Sequence, residues 1–461
     1  MHTTHTGPYD LVIIGGGVSG AAQLYAAARY TNLKRVLLLE KEPTAGAMNS
    51  DATQNSQTLH EGDIETNYNL AKATAVKHKA DFTRRYLERF KSDQAGELYM
   101  VGPKMLFAAG EAGCKTLRDR FDDFRTLFPE LTKYGREELE QYEPALVKGR
   151  PATQPVLALY NPNGMTVNYG RLAAELLRDA EAAYRTDPNR TGEVRCNTAF
   201  SGAQKTDTGY LVQVGEEQIA TNYLSICAGA HSMYFAKQLG IDAVKSKSLL
   251  LVAGNFYYTP KLLKAKVYTL QNPKLPFSAV HGDPDILNPD TKTRYGPTTR
   301  IVFTLERRRL GTLVEYVTTL TPFLKSLGAY LRILLDRDFF WYAFKHNVLF
   351  VLPGVGTYFF MREVQTLIPT VRYADVSRAK GQGGVRPQIV DTTAQSPLNM
   401  GDAKLTDTRL LVNVTPSPGA TTAFYNGLAD IEQITKELGA DFVEEAVETD
   451  FGLQLAPSSV D

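Results

Sequence analysis

Cysteine is scarce in this chain. Only Cys114, Cys196 and Cys227 occur in 461 residues, widely separated and without a Cys-x-x-Cys. That argues against a disulfide scaffold and fits a reducing compartment. Net charge is missing as well, since 51 Lys and Arg stand against 50 Asp and Glu. A balanced chain carries no footprint for nucleic acid and no general attraction to anionic membrane. No uncharged apolar run approaches the ~18 residues that a membrane-spanning helix needs. The opening MHTTHTGPYD has neither a basic nor an apolar segment, so it is not read as a secretory signal. Repeats and low-complexity tracts are lacking. The length predicts two domains.

What is present begins at Tyr9. An apolar run, Leu11 to Ile14, has the composition of a buried parallel strand. Gly15-Gly16-Gly17-Val18-Ser19-Gly20 follows, a GxGxxG with its fixed glycines at Gly15, Gly17 and Gly20. Gly15 permits the tight turn out of the strand. Gly17 lets backbone N–H groups approach a pyrophosphate, and Gly20 lets the next helix lie close to the sheet. The alanine-rich stretch to Tyr30 is helix-prone, and its N-terminus offers free N–H groups to an anion. A second apolar strand, Val36 to Leu39, ends in Glu40, which is placed to bind ribose hydroxyls and to repel a 2′-phosphate. Strand, glycine loop, helix, strand and acid in this order predict a dinucleotide site.

Further on, Met48 to Tyr68 is a polar loop that either bonds to itself or lines a ligand site. Asn69 to Phe90 reads as an amphipathic helix, Leu98 to Ala109 as strands around a Gly-Pro turn, and Glu111 to Leu131 as helix. Tyr223 to Ser232 is an apolar strand that runs into Ala228-Gly229, a second place for close approach of backbone to a cofactor. Ser248 to Thr304 predicts an antiparallel sheet. From about 306 to 369 the chain turns basic, aromatic and helical, with the single tryptophan, Trp341, and a break at Pro353-Gly354. Two readings stand for this insertion: a cover over one side of the sheet, which periodicity favours, and a membrane-surface or quinone-access element. Leu410 to Asp430 predicts strand, loop and helix, with Gly419, Ala420 and Thr421 at a helix start beside a ligand.

Four stretches carry a resemblance. They are GGGVSG with Glu40; NSQTLHEGDIETNY at Asn55 to Tyr68; AVHGDPD at Ala279 to Asp285 with the downstream RYGPT; and the C-terminal GVRPQ and PSPGATTAFYNG. The chain resembles the D-amino-acid-oxidase-like flavoproteins and, within them, the malate:quinone oxidoreductases. The narrower resemblance rests on NSQTLH followed by GDIETNY. It implies bound FAD, oxidation of (S)-malate to oxaloacetate and delivery of electrons to membrane quinone. It also implies peripheral attachment to the cytoplasmic face of a membrane. The expected fold is α/β: a Rossmann-like FAD-binding domain from residues 1–95, 166–245 and 376–461, and an antiparallel-sheet substrate domain from 96–165 and 246–375 that carries the helical insertion. Ser56, Gln57 and Thr58 join the glycines, Glu40, Ala228, Gly229, Gly419, Ala420 and Thr421 as cofactor-binding candidates.

Oxidising a 2-hydroxy acid needs a base for the hydroxyl proton, commonly histidine, and a cation for the carboxylate, best a guanidinium. Of seven histidines, His60 and His281 lie in the resembling motifs, and motif context places His281 first. Arg386, approached through glycines, is the candidate clamp. Two alternatives stay open: a flavin dehydrogenase of another 2-hydroxy acid such as 2-hydroxyglutarate, and a flavin-bearing electron-transfer subunit without its own substrate.

Overall fold

The computed structural model describes residues 7–90, 96–271, 279–296, 298–394, 398–399, 403–415 and 419–455. Pro297 and Pro416 to Pro418, which belong to motifs quoted above, lie outside the described residues.

The strand β1 (Leu11–Ile14), the helix α1 (Val18–Tyr30) and the strand β2 (Arg35–Leu39) form as expected. β1 is central in a six-stranded sheet, flanked on one side by β2 and Thr191–Arg195 and on the other by Leu224–Ile226, Leu410–Val414 and Ala403–Asp407. All neighbours are parallel except the last pair. Alternation along β1 explains its unbroken apolar run. Leu11 and Ile13 join a core with α1, Tyr169–Arg185 and Gly419–Leu438, while Val12 and Ile14 join a second core on the opposite face.

An eight-stranded sheet forms the second layer system, in the order Ser377–Arg378, Tyr257–Pro260, Lys292–Gly296, His281–Pro284, Lys266–Thr269, Tyr99–Ala109, Val156–Val167, Thr132–Tyr134. It is antiparallel apart from one pair. Lys266–Thr269 runs parallel to Tyr99–Ala109, because two strands so far apart in the chain need no hairpin between them. The Gly-Pro turn expected near residue 102 is instead a bulge between Gly102 and Lys104 within one continuous strand. The helix expected to reach Leu131 ends at Phe124.

A four-stranded sheet, Arg300–Val302, Lys247–Ala253, Val385–Asp391, Leu398–Asn399, joins these units. Leu249 and Leu251 face the nucleotide-side core, and Leu250 and Val252 face the insertion. The insertion consists of helices Thr312–Thr319, Phe323–Leu335, Arg337–Asn347 and Val355–Leu367. It covers the small sheet through Ala329, Ile333, Phe339 and Ala343. Other large apolar side chains of helices Phe323–Leu335 and Arg337–Asn347 point the other way. Leu324 and Leu335 are each 81% exposed, and Phe323, Leu327, Leu331, Phe340, Trp341 and Phe344 are exposed beside them. Among the described residues no helix is long and apolar enough to cross a membrane.

Candidate active site

One cavity of about 470 Å³ opens at the carboxyl ends of the parallel strands, where Ile14, Leu39, Cys227 and Thr415 all line it. The glycine loop forms one wall. Gly15 has φ +104°, and a Cβ there would lie 2.5 Å from the carbonyl oxygen of Cys227. At Gly20 a Cβ would lie 2.0 Å from the carbonyl oxygen of Gly15, so this glycine serves packing behind the wall and does not line it. Gly17 lines the cavity and begins α1 without a side-chain cap. Its N-terminal N–H groups are therefore available to an anion, apart from that of Val18, which donates to Ser50 Oγ at 3.0 Å.

Glu40 lines the same cavity. Its carboxylate accepts from the N–H of Gly16 at 2.7 Å and of Glu42 at 2.8 Å, which fixes it at the end of β2. Ser56, Thr58, Ala228, Gly229, Gly419, Ala420 and Thr421 also line it. Gln57 does not. It has φ +56° and is fully buried, and its amide donates to Ala52 O and Asp285 Oδ1 while accepting from Ile286 N. The expected cofactor contact is thus corrected to a tie between the polar loop and the second sheet. An uncapped helix start, a glycine cradle that Cβ atoms would fill and a fixed carboxylate at the strand end together suit a dinucleotide.

The two histidines separate here. His60 lines the cavity; His281 lies outside its lining. His281 sits on an interior strand, 4% exposed, with its ring stacked on Tyr268 at 4.4 Å. Among the described residues Nε2 has no hydrogen-bond partner, and Asp283 Oδ2 is 3.5 Å away. Burial pushes its pKa down to about 4, against the pull of Asp283. Tyr268 touches both rings, meeting His60 edge-on at 6.2 Å, and its hydroxyl bonds Thr58 Oγ1 at 2.7 Å.

His60 is held from several directions. Its N–H donates to Thr421 Oγ1 at 3.1 Å, its Nδ1 meets Glu65 Oε1 at 2.5 Å, and its Nε2 lies 3.2 Å from Ser56 Oγ. Arg386 lines the cavity from strand Val385–Asp391. Burial lowers the pKa of its guanidinium from the usual value, and among the described residues no carboxylate pairs with it. A half-buried cation that faces a cavity, with no carboxylate partner among the described residues, asks for an anionic ligand.

Sequence reading missed several contributors. Tyr169 donates to Thr58 O at 2.9 Å and closes the cavity floor with Thr421. Near Glu40, an ion-pair joint ties the insertion to the cofactor domain. Lys41 pairs with Glu306, and Arg309 bridges Glu42 at 2.8 Å and Glu306 at 3.2 Å. His231 meets Glu315 at 3.0 Å, with its pKa lowered by burial and then by Lys41. No local pattern marks partners so distant in sequence.

Comparison with known proteins agrees with this geometry. The DAO family, described as FAD dependent oxidoreductase, matches residues 10–427. A probable malate:quinone oxidoreductase of Campylobacter jejuni subsp. jejuni serotype O:2 is 36% identical over 450 residues, covering 95% of this chain and 97% of that one. The chain belongs to the malate:quinone oxidoreductase family of FAD-dependent oxidoreductases. The malate:quinone oxidoreductase of Helicobacter pylori strain J99 is 34% identical over 453 residues, covering 94% of this chain and 96% of that one. Among solved structures, the FAD-bound L-alpha-glycerophosphate oxidase of Mycoplasma pneumoniae shares the fold, with a TM-score of 0.65 at 16% identity, covering 95% of this chain and 96% of that chain. The expected α/β fold and the FAD cofactor stand with this family.

Proposed function

We propose that the protein oxidises (S)-malate to oxaloacetate with FAD and passes the electrons to membrane quinone. The observation that carries this is one cavity with a dinucleotide wall, the unpaired Arg386 and His60, in a chain that matches its malate:quinone relatives over nearly its whole length. Gly15, Gly17, Glu40, Ala228 and the Gly419 helix start would hold the cofactor. FAD, when bound, supplies the two-electron acceptor. Arg386 holds a substrate carboxylate in its planar fork. His60 takes the hydroxyl proton, because it is the candidate histidine on the cavity wall; His281, first in the sequence reading, is walled off by Tyr268 and burial. Anaerobic (S)-malate should bleach the flavin of the purified protein, and 2-hydroxyglutarate should not. The reverse preference would transfer the proposal to another hydroxy acid, and no bleaching by either would leave an electron-transfer subunit.

The insertion supplies the membrane contact in this reading. Its outward Phe323, Leu324, Leu331, Leu335 and Trp341, with exposed Lys325, Arg332 and Arg337 among them, have the chemistry of an in-plane interfacial surface. Burying each large apolar side chain contributes about 1.5–3 kcal/mol, so several suffice for stable attachment. Vesicles of phosphatidylcholine and phosphatidylglycerol should float the protein. A Leu324→Asp, Leu331→Asp, Trp341→Asp variant should stay behind while still being reduced by malate. Unchanged flotation of the variant would rule out this surface.

A further inference from the structure

Among the described residues Glu65 has one side-chain hydrogen-bond partner. Its Oε1 lies 2.5 Å from His60 Nδ1, and its Oε2 is buried with no hydrogen-bond partner. Burial works to raise the Glu65 pKa, but the His60 bond and charge outweigh it and hold it below the usual carboxylate range. The other acids of the same buried loop are already matched. Lys104 pairs with Glu61 at 2.6 Å and Asp63 at 2.8 Å, and Arg84 pairs with Glu61 at 2.7 Å. Tyr268 and His281, from the second sheet, are further titratable neighbours of His60, and Tyr169 shares Thr421 Oγ1 with the His60 backbone N–H.

The loop cannot easily shift. Arg120, from helix Glu111–Phe124, donates to the carbonyls of Gly62 at 2.9 Å, Glu65 at 2.9 Å and Tyr68 at 3.1 Å. Its guanidinium lies 3.7 Å over the Phe124 ring. A carboxylate only accepts hydrogen bonds, so the proton of neutral His60 sits on Nδ1. The lone pair is then on Nε2, beside Ser56 Oγ on the cavity wall.

We propose that Glu65 is a positioning residue for the oxidation: it keeps His60 in the tautomer whose Nε2 accepts the substrate hydroxyl proton, and it stabilises the imidazolium that forms. The hydroxyl proton goes to Nε2 as the O–H bond breaks and the carbonyl closes, and FAD, when bound, would supply the acceptor for the C2 hydrogen and its electron pair. The inference rests on His60 being the base.

The test compares Glu65→Gln, Glu65→Asp and His60→Asn, each purified with FAD, by stopped-flow reduction with (S)-malate from about pH 5 to 9. Selective ¹⁵N labelling of histidine reads the tautomer directly. Glu65→Gln should slow reduction by about 10²–10⁴-fold with KM nearly unchanged, since its amide N–H favours the wrong tautomer. It should also move the acid limb of kcat/KM to lower pH and place the His60 proton on Nε2. Glu65→Asp should recover part of the rate. A fast His60→Asn overturns the assignment of the base. A slow His60→Asn beside a Glu65→Gln with unmoved acid limb and unchanged tautomer overturns the role of Glu65 alone. So does a Glu65→Gln loss that is uniform in pH and that Glu65→Asp does not relieve.

Discussion

His60 and His281 share more than a residue type. Each lies in a stretch that carries the resemblance in the sequence, each has a carboxylate nearby and each touches Tyr268. They differ in what the fold does with the imidazole. At His60 the carboxylate is at bonding distance and the other nitrogen reaches the cavity. At His281 the carboxylate is 3.5 Å off, the ring is buried, and Nε2 has no hydrogen-bond partner among the described residues. A base needs both a path to the proton and a partner for the charge that it gains. In the proposed reading His281, off the cavity and held neutral by burial, is left a packing role.

The sharpest way to break this contrast is kinetic. His60→Asn should slow flavin reduction by about 10²–10⁴-fold, and His281→Asn by less than about threefold. The opposite order, measured by stopped flow, would return the role of base to His281. The next effect concerns stability. With His281 pushed down to about 4, the unfolded chain binds a proton that the folded chain lacks between pH ~6.5 and 4. Stability therefore falls as pH drops through that window, by about 3 kcal/mol at most. His346, lowered by burial to about 3, adds in the same direction. Urea midpoints at pH ~7 and ~4.5 should show a smaller acid loss in His281→Gln than in the parent chain. Arg386→Lys belongs to the cavity side. It should raise KM for malate by about 10–100-fold with little change in kcat, because a point charge cannot reproduce the bidentate fork. The smallest effect should come from Ser56→Ala, below about fivefold in kcat/KM. Its hydroxyl occupies His60 Nε2 only until a substrate hydroxyl replaces it.

The nucleotide wall was legible from spacing because each of its glycines answers a local steric demand. Gly15 and Gly20 would each place a Cβ on backbone atoms only a few residues or one strand away. Glu40 follows from the strand end in the same way. The choice between His60 and His281 was not legible, since it depends on which side of Tyr268 the cavity lies. Gln57 was misassigned for a related reason: a positive φ turns one residue of a cavity-lining run inward, to Asp285. The AVHGDPD stretch is better understood as that tie. Asp285 also accepts from Tyr258 at 2.9 Å and Asn288 at 3.1 Å, and so fixes the polar loop to the second sheet. The insertion shows a different limit. Helical periodicity marks an apolar face but not its direction, and in Phe323–Leu335 the stripe turned inward is Ser326, Ala329 and Ile333.

The cavity wall joins residues from opposite parts of the chain. Gly17 and Thr421 face the same space although about 400 residues separate them. At ~5–20 residues per second, a ribosome needs roughly 20–80 s to make the second after the first. During that interval the glycine loop exists without its opposite wall, and strand Leu224–Ile226 waits for its neighbour Leu410–Val414. The wall that would hold FAD is therefore complete only once strand Leu410–Val414 and the helix after it have been made. A nascent polypeptide halted before that last strand would carry the fingerprint of a flavoprotein and remain colourless.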